Sequence, residues 1–294
     1  MNEPLESIYD AIEFFEDHLY ENVTVAQTAD FIGYSLFHFI RMFNRIVHHT
    51  PYDYLIRRRL SESARILTNS HRRITDIAQD FCFQNQESYS RAFKRMFDMQ
   101  PSQWREEAPS EEFVLMPKIT LADLAFRNSD FFRSPELFIW SETRYQGLMT
   151  KIIEDKNGLQ EWENSLAADL KNCLSDVSAS PQVTITFSVN SDWRNRYEFI
   201  GIEKHKNQRQ TLNLVERIVP AGNYAGIFYP VDFFKEARTY LFFTWFPAVC
   251  CRATCHEFFL LSFSVLSSQG RQLFVPVVIS EKSNIRLKDS RAAI

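Results

Sequence analysis

A repeat in the first hundred residues constrains this chain more than any other feature. Thr28-Ala29-Asp30-Phe31-Ile32-Gly33-Tyr34 is echoed by Ile77-Ala78-Gln79-Asp80-Phe81-Cys82-Phe83. Each copy runs into a segment with an Arg and, two residues on, a Phe: Arg41-Met42-Phe43 and Arg91-Ala92-Phe93. Each closes on a proline, Pro51 and Pro101. The copies lie 49 residues apart at the alanines and 50 at the arginines, phenylalanines and prolines. That pattern predicts two helix-turn-helix units in one module, each placing its second helix in a major groove of DNA.

Local signals supply the helices. Leu5, Ile8, Tyr9, Ile12, Phe15 and Leu19 form one apolar stripe, so residues 5–19 read as an amphipathic helix. Thr24 with Gln27 three positions on is a capping box for a second helix, which ends near Gly33. A third runs from Ser35 to Val47. Thr50-Pro51 with Asp53 opens a fourth, which continues to Leu67 and spans about 26 Å. It predicts a rigid spacer between the motifs, because readers about 34 Å apart meet one face of a duplex. Helices at 74–81 and 85–97 repeat the motif, and a short one starts at Pro101.

The net charge of −4 argues against a DNA-binding surface only if charge is spread evenly. It is not. Residues 1–40 carry eight acids and no Lys or Arg, whereas residues 41–105 carry eleven Arg and one Lys against six acids. Phosphate responds to the local field rather than the sum, so the acidic first segment is expected to face away from DNA. Five cysteines without regular spacing fit a reducing cytoplasm, and no apolar run is long enough for a membrane span. No nucleophile–base pattern or glycine-rich phosphate loop is present, and Cys250-Cys251 with Cys255-His256 lacks zinc-like spacing. No enzyme activity, cofactor or metal is therefore expected.

The third helix leads with Ser35, Leu36, Phe37, His38, Ile40 and Arg41. Arginine can donate two parallel bonds to guanine, and Phe37 can pack on a thymine methyl. The matching face of the second motif carries Gln84, Asn85, Gln86, Glu87, Ser88 and Arg91. Lys94, Arg95 and the run Arg57-Arg58-Arg59 are expected to contact phosphates. Phe39, Phe43, Phe93 and Phe97 are expected in the core. A single helical Arg is ordinarily just solvated; it is the matched position in two repeats that points to readout.

Tyr34 to Phe43, Arg57-Arg58-Arg59-Leu60-Ser61-Glu62-Ser63-Ala64, Ser90-Arg91-Ala92-Phe93-Lys94-Arg95-Met96-Phe97 and Pro101-Ser102-Gln103-Trp104-Arg105 occur in order. On these segments, residues 5–106 resemble the paired helix-turn-helix domain of AraC/XylS-family transcription regulators. The resemblance implies double-stranded DNA as partner, with Phe37, Arg41, Gln86, Ser88 and Arg91 as base contacts. Two residues depart from the family pattern: Ile40 stands where a polar contact is common, and Glu87 replaces a common Gln.

Glu106 to Pro117 reads as a boundary. The expected organisation is therefore multidomain: an all-α double helix-turn-helix domain at 1–106, a linker at 107–136 and an α+β domain at 137–294. Strands are expected at 183–189, 197–203, 224–228, 258–265 and 273–279, and helices at 159–174 and 231–246. Tyr145-Gln146-Gly147-Leu148 resembles Tyr224-Ala225-Gly226-Ile227, 79 residues later, which suggests a duplicated strand-helix-strand-strand unit. Val219-Pro220-Ala221-Gly222-Asn223-Tyr224-Ala225-Gly226, Thr244-Trp245-Phe246-Pro247, Glu257 and the segment 197–203 resemble a GyrI-like effector-binding domain. This resemblance implies a sensor of a small amphipathic or aromatic molecule. Glu257 and Glu203 are its acid candidates, and Tyr145, Trp193, Tyr197, Tyr224 and Phe228 its wall candidates. A cytoplasmic activator that contacts RNA polymerase is the implied whole. Small-molecule hydrolysis by the GyrI-like part, or a ligand-independent regulator that uses it for protein contacts, are the alternatives.

Overall fold

The computed structural model describes residues 3–107, 114–153, 169, 183–188, 195–204, 214–249, 251–253, 259–264, 270–279 and 287–289. The chain divides into two compact units, Met1–Asp130 with Phe242–Thr244, and Phe131–Leu241 with Trp245–Ile294.

The first unit is helical: α1 Glu3–Asp17, α2 Val25–Phe31, α3 Leu36–Val47, α4 Pro51–Asn69, α5 Ile74–Asp80, α6 Gln86–Phe97, α7 Pro101–Glu107 and α8 Leu121–Arg127. The helix starts are written in side chains. Thr24 and Gln27 form the full capping box of α2, Ser35 caps α3, and Thr50 caps α4 with Pro51 in its first turn. The repeat extends to backbone geometry. Gly33 takes φ 73° in the first turn and Cys82 takes φ 61° in the second. The same bonds close both turns: Gly33 N–H to Asp30 O and Tyr34 N–H to Ala29 O, then Cys82 N–H to Gln79 O and Phe83 N–H to Ala78 O. His48 and Asp98 end α3 and α6 in the same left-handed conformation.

Helix α4, 19 residues and about 28 Å long, is shared by two cores. Its first half puts Tyr54 against Phe43, which packs edge-on with Phe15 and Phe39. Its second half puts Leu60, Ala64 and Leu67 into a cluster with Ile77, Ala78, Phe81, Tyr89, Phe93 and Trp104. The buried polar tips are satisfied: Tyr89 Oη donates to Ser63 Oγ at 2.9 Å and Trp104 Nε1 to Thr68 Oγ1 at 3.1 Å.

Between the two cores sits a buried ion network. Arg58 donates from Nε and Nη2 to both oxygens of Glu16, each at 2.8 Å, from Nη2 to Glu62 at 2.8 Å, and from Nη1 to Met116 O at 2.5 Å. Tyr54 Oη donates to Glu16 at 2.7 Å, and burial pushes its phenol well above the usual range. Arg59, also buried, donates to Leu19 O and Glu21 O. Arg57 is held by Asp53 at 2.7 Å. The run Arg57-Arg58-Arg59 therefore is not a phosphate-binding strip. Two of its three guanidiniums point inward to acceptors on and just after α1, because α4 is covered there on more than one side.

The stretch expected to be a linker is in part packed structure. Leu115, Met116, Ile119, Leu124 and Phe126 are buried. Met116 N–H donates to Ser61 Oγ, Arg127 Nη1 to Val47 O at 2.6 Å, and Asn128 Nδ2 to Ile46 O at 3.0 Å. A cation at the carbonyl end of α3 is where a helix dipole favours one.

The second unit is built on a curled sheet of ten strands: β1 Glu136–Trp140, β2 Thr143–Ile153, β3 Val183–Ser188, β4 Asn195–Glu203, β5 Val215–Val219, β6 Gly222–Pro230, β7 Cys251–Ala253, β8 Phe259–Ser264, β9 Gly270–Ile279 and β10 Leu287–Asp289. The order is β10-β1-β6-β9-β8-β3-β4-β2-β5, with β7 paired to β9. A helical stretch follows β6: a 3-10 turn Val231–Phe233, α9 Phe234–Tyr240, a π-helical turn Leu241–Trp245 and α10 Phe246–Val249. The expected helix at 159–174 lies outside the described residues.

The sheet carries the 79-residue repeat in its register. Trp140 pairs with Gly222 and Glu136 with Gly226; the same pairing recurs as Val219 with Thr143 and Val215 with Gly147. The strand that leads into each half thus pairs with the other half. Residues 141–142 and 220–221 are the only links between β1 and β2 and between β5 and β6, although those strands sit on opposite flanks of the sheet. Such short links require the flanks to curl together. Helix α9 lies on one face, where Phe234 packs on Tyr229. The other face carries an aromatic cluster that includes Phe138, Trp140, Tyr145, Phe199, Tyr224 and Phe274. Gly226 makes that closeness possible, since a Cβ there would stand 2.7 Å from both the Phe138 and Phe274 rings.

Two stability changes follow. Arg58→Ala leaves Glu16 buried without its partner and should cost about 3–5 kcal/mol in denaturant unfolding. Cys82→Gly relieves a left-handed non-glycine residue, at some cost in unfolded-chain entropy, and should raise stability by up to about 1 kcal/mol in the same assay.

Candidate nucleic-acid interface

Helices α3 and α6 bury one stripe and expose the other. On α3, Phe39, Phe43, Ile46 and Val47 point inward. Leu36, Phe37, His38, Arg41, Asn44 and Arg45 are exposed. Phe37 is 79% exposed, the most solvated of the large apolar side chains described in the chain. Leu36, also exposed, adjoins it in the chain, so the leading end of α3 presents apolar surface together with the Arg41 cation. Arg41 and Arg45 stand one turn apart on that face. Arg45 and Asn44 were missed in the sequence reading, although the four-residue spacing from Arg41 signals Arg45.

On α6, Tyr89 and Phe93 are buried, while Gln86, Glu87, Arg91, Lys94 and Arg95 are exposed. Three contacts organise its leading edge. Gln86 Oε1 accepts from Thr75 Oγ1 of α5 at 2.7 Å, which fixes the amide before any ligand arrives. Asn85 and Ser88 form a reciprocal capping box: Ser88 N–H donates to Asn85 Oδ1 at 2.8 Å, and Ser88 Oγ donates to Asn85 O at 2.8 Å. The Ser88 hydroxyl is thus already engaged in closing the helix. Glu87 stands 3.8 Å from Arg91, with both side chains largely in solvent. A pair that exposed is worth little and opens readily. Arg41, Arg45, Lys94 and Arg95 have no side-chain partner among the described residues. The two outer faces therefore offer unpaired cations, one solvated ring and one pre-set amide, the donor set that suits phosphates and base edges.

The second unit's candidates also share a face. Cross-strand partners in an antiparallel sheet point the same way, and Tyr145 pairs with Glu203. Tyr197 pairs with Phe187, Tyr224 with Phe138, and Phe228 with Gln272. Tyr145 and Tyr224 are buried in the aromatic cluster, Tyr197 and Phe228 are half-buried, and Glu203 is exposed. Burial first, then the nearby Glu203 carboxylate, pushes the Tyr145 phenol up. Glu257 and Trp193 lie outside the described residues. Among the described residues, no helix is long and apolar enough to cross a membrane.

Comparison with known proteins gives a family model described as "Helix-turn-helix domain", which matches residues 28–107. The chain is 37% identical over 98 residues to the regulatory protein SoxS of Escherichia coli strain K12, covering 33% of this chain and 92% of SoxS. It is 32% identical over 124 residues to the transcriptional regulator Rob of Salmonella typhimurium, covering 42% of this chain and 43% of Rob. The match thus spans less than half the length of that longer relative. A solved AraC-type transcriptional regulator from Chromobacterium violaceum is 20% identical, with a TM-score of 0.34, over 35% of this chain and 91% of that one.

The cap of α6 is testable on its own. Asn85→Ala removes the acceptor for Ser88 N–H and should destabilise the protein by about 1 kcal/mol, read by urea unfolding.

Proposed function

The chain belongs to the AraC family of transcription regulators, and from that premise we propose that its helical unit reads two successive major-groove segments near promoters, one with α3 and one with α6. The observation that carries this reading is the solvated Phe37 beside unpaired Arg41 on α3, matched fifty residues on by Arg91 on α6. In this assignment Arg41 bonds a guanine edge and Phe37 packs on a thymine methyl. Gln86 meets an adenine edge, Arg91 reads a base once Glu87 lets go, and Lys94 and Arg95 hold phosphates. Ser88 contributes through the helix cap it closes as well as through any base it meets. Arg45 joins the phosphate contacts.

The second unit senses a small amphipathic or aromatic molecule, in the manner of a GyrI-like domain. Support comes from the aromatic face that gathers Tyr145, Tyr197, Tyr224 and Phe228, and from the 79-residue repeat in the sheet register. No reaction is required. Ligand free energy shifts the population of the DNA-competent or polymerase-competent form, and the outcome is activation of transcription in the cytoplasm.

Selection of bound duplexes from a random pool gives the operator. Against it, Arg41→Ala should weaken specific binding by about 1–3 kcal/mol and relax one base position. An equal loss on every sequence would instead make Arg41 a phosphate contact.

A further inference from the structure

The aromatic face of the curled sheet holds a cation that has no anionic partner among the described residues. Arg217 on β5 pairs with Tyr145 on β2, so its side chain leaves the sheet on that face. The guanidinium carbon stands 4.4 Å from the centroid of the Phe187 ring, and Phe187 stacks on Tyr197 at 5.6 Å. Phe187 belongs to β3, which is separated from β5 by β4 and β2. Only the curl of the sheet brings the guanidinium to it. The Nη2 atom finds a thioether, Met149 Sδ, at 3.1 Å, a weak acceptor for a charged donor. The Nε atom is buried and, among the described residues, has no hydrogen-bond partner.

A guanidinium is a planar fork that fits a carboxylate with two parallel bonds, and a buried N–H without an acceptor costs free energy. The register also places Lys151 opposite Tyr197, Glu203 opposite Tyr145 and Glu136 opposite Gly226 on this face. All three are exposed. Among the described residues, no carboxylate pairs with Arg217.

We propose that the molecule taken by this face is an anion, an aromatic carboxylate whose ring packs against the Phe187–Tyr197 stack and whose oxygens accept from Arg217. The inference rests on the reading of this unit as an effector sensor, and it reverses the charge that Glu203 and Glu257 suggest. Stacking on Phe187 holds the guanidinium in place through cation–π attraction, so little side-chain freedom is lost on binding.

Calorimetric titration of the full chain with 2-naphthoate, 2-naphthamide and 2-naphthylmethylammonium tests it. Naphthoate should bind on the order of tenfold or more tightly than the amide. Arg217→Gln should bring naphthoate down to the amide's affinity and leave the amide unchanged. Arg217→Lys should restore part of the loss, since it keeps the charge without the fork. Should Arg217→Gln not fold, the Lys variant decides: a preference for naphthoate over the amide that is reduced but not abolished supports recognition by the guanidinium fork, and a preference unchanged from wild type, or none in wild type, overturns it. Tightest binding of the ammonium probe, or naphthoate affinity indifferent to Arg217→Gln, would overturn the anion assignment while leaving the sensor reading intact. If none of the three probes binds, the sensor reading itself falls, and the anion assignment with it.

Discussion

The helical unit depends on one buried pair, the Arg58 guanidinium laid across both oxygens of Glu16. Two charges taken out of water are tolerated only when nearly every donor and acceptor is matched, and here Glu62, Tyr54 and the Met116 carbonyl complete the set. The geometric effect exceeds the energetic one. Arg58 sits on α4 where one aromatic core gives way to the next, so the pair ties α1 and the segment after α7 to the middle of the rod. An apolar contact there could slide; a forked ion pair has one register. The exposed faces of α3 and α6 take their positions from helices fixed in this way.

How far this was legible in the sequence varies with the range of the interaction. Caps and turns are local, so Thr24 with Gln27, Thr50-Pro51 and Gly33 announced their roles directly. The fate of Arg57-Arg58-Arg59 was not legible. A run of three arginines looks like a phosphate clamp, and only the long-range approach of Glu16, 42 positions upstream of Arg58, turns it inward. Helix α8 was hidden for a similar reason: Leu121–Arg127 is too short for a periodic signal, and its burial comes from α1 and α3. On the outer faces of α3 and α6, residue type and repeat position singled out Phe37, Arg41 and Arg91, all three of which are exposed. The engagement of the Ser88 hydroxyl in the cap needed coordinates.

In the second unit, local patterning placed β3, β4, β6, β8 and β9 but not β1, β5, β7 or β10, which are only three to five residues long. It could not give their partners. Tyr145 and Tyr224 were noticed as echoes of each other, and the structure sets them in one cluster on one face. Arg217 passed unnoticed, since nothing in Val215–Val219 distinguishes a solvated arginine from one folded over Phe187.

The crossed pairing of the leading strands has a consequence for how such a sheet could arise. β1 completes the half that begins at β6, and β5 completes the half that begins at β2. A single copy of the repeat, standing alone, would hold out an arm with nothing of its own to rest on, and two such copies would trade arms. Neither half can therefore be excised as a free-standing piece, and the interlock converts an association that dilution could undo into one that it cannot.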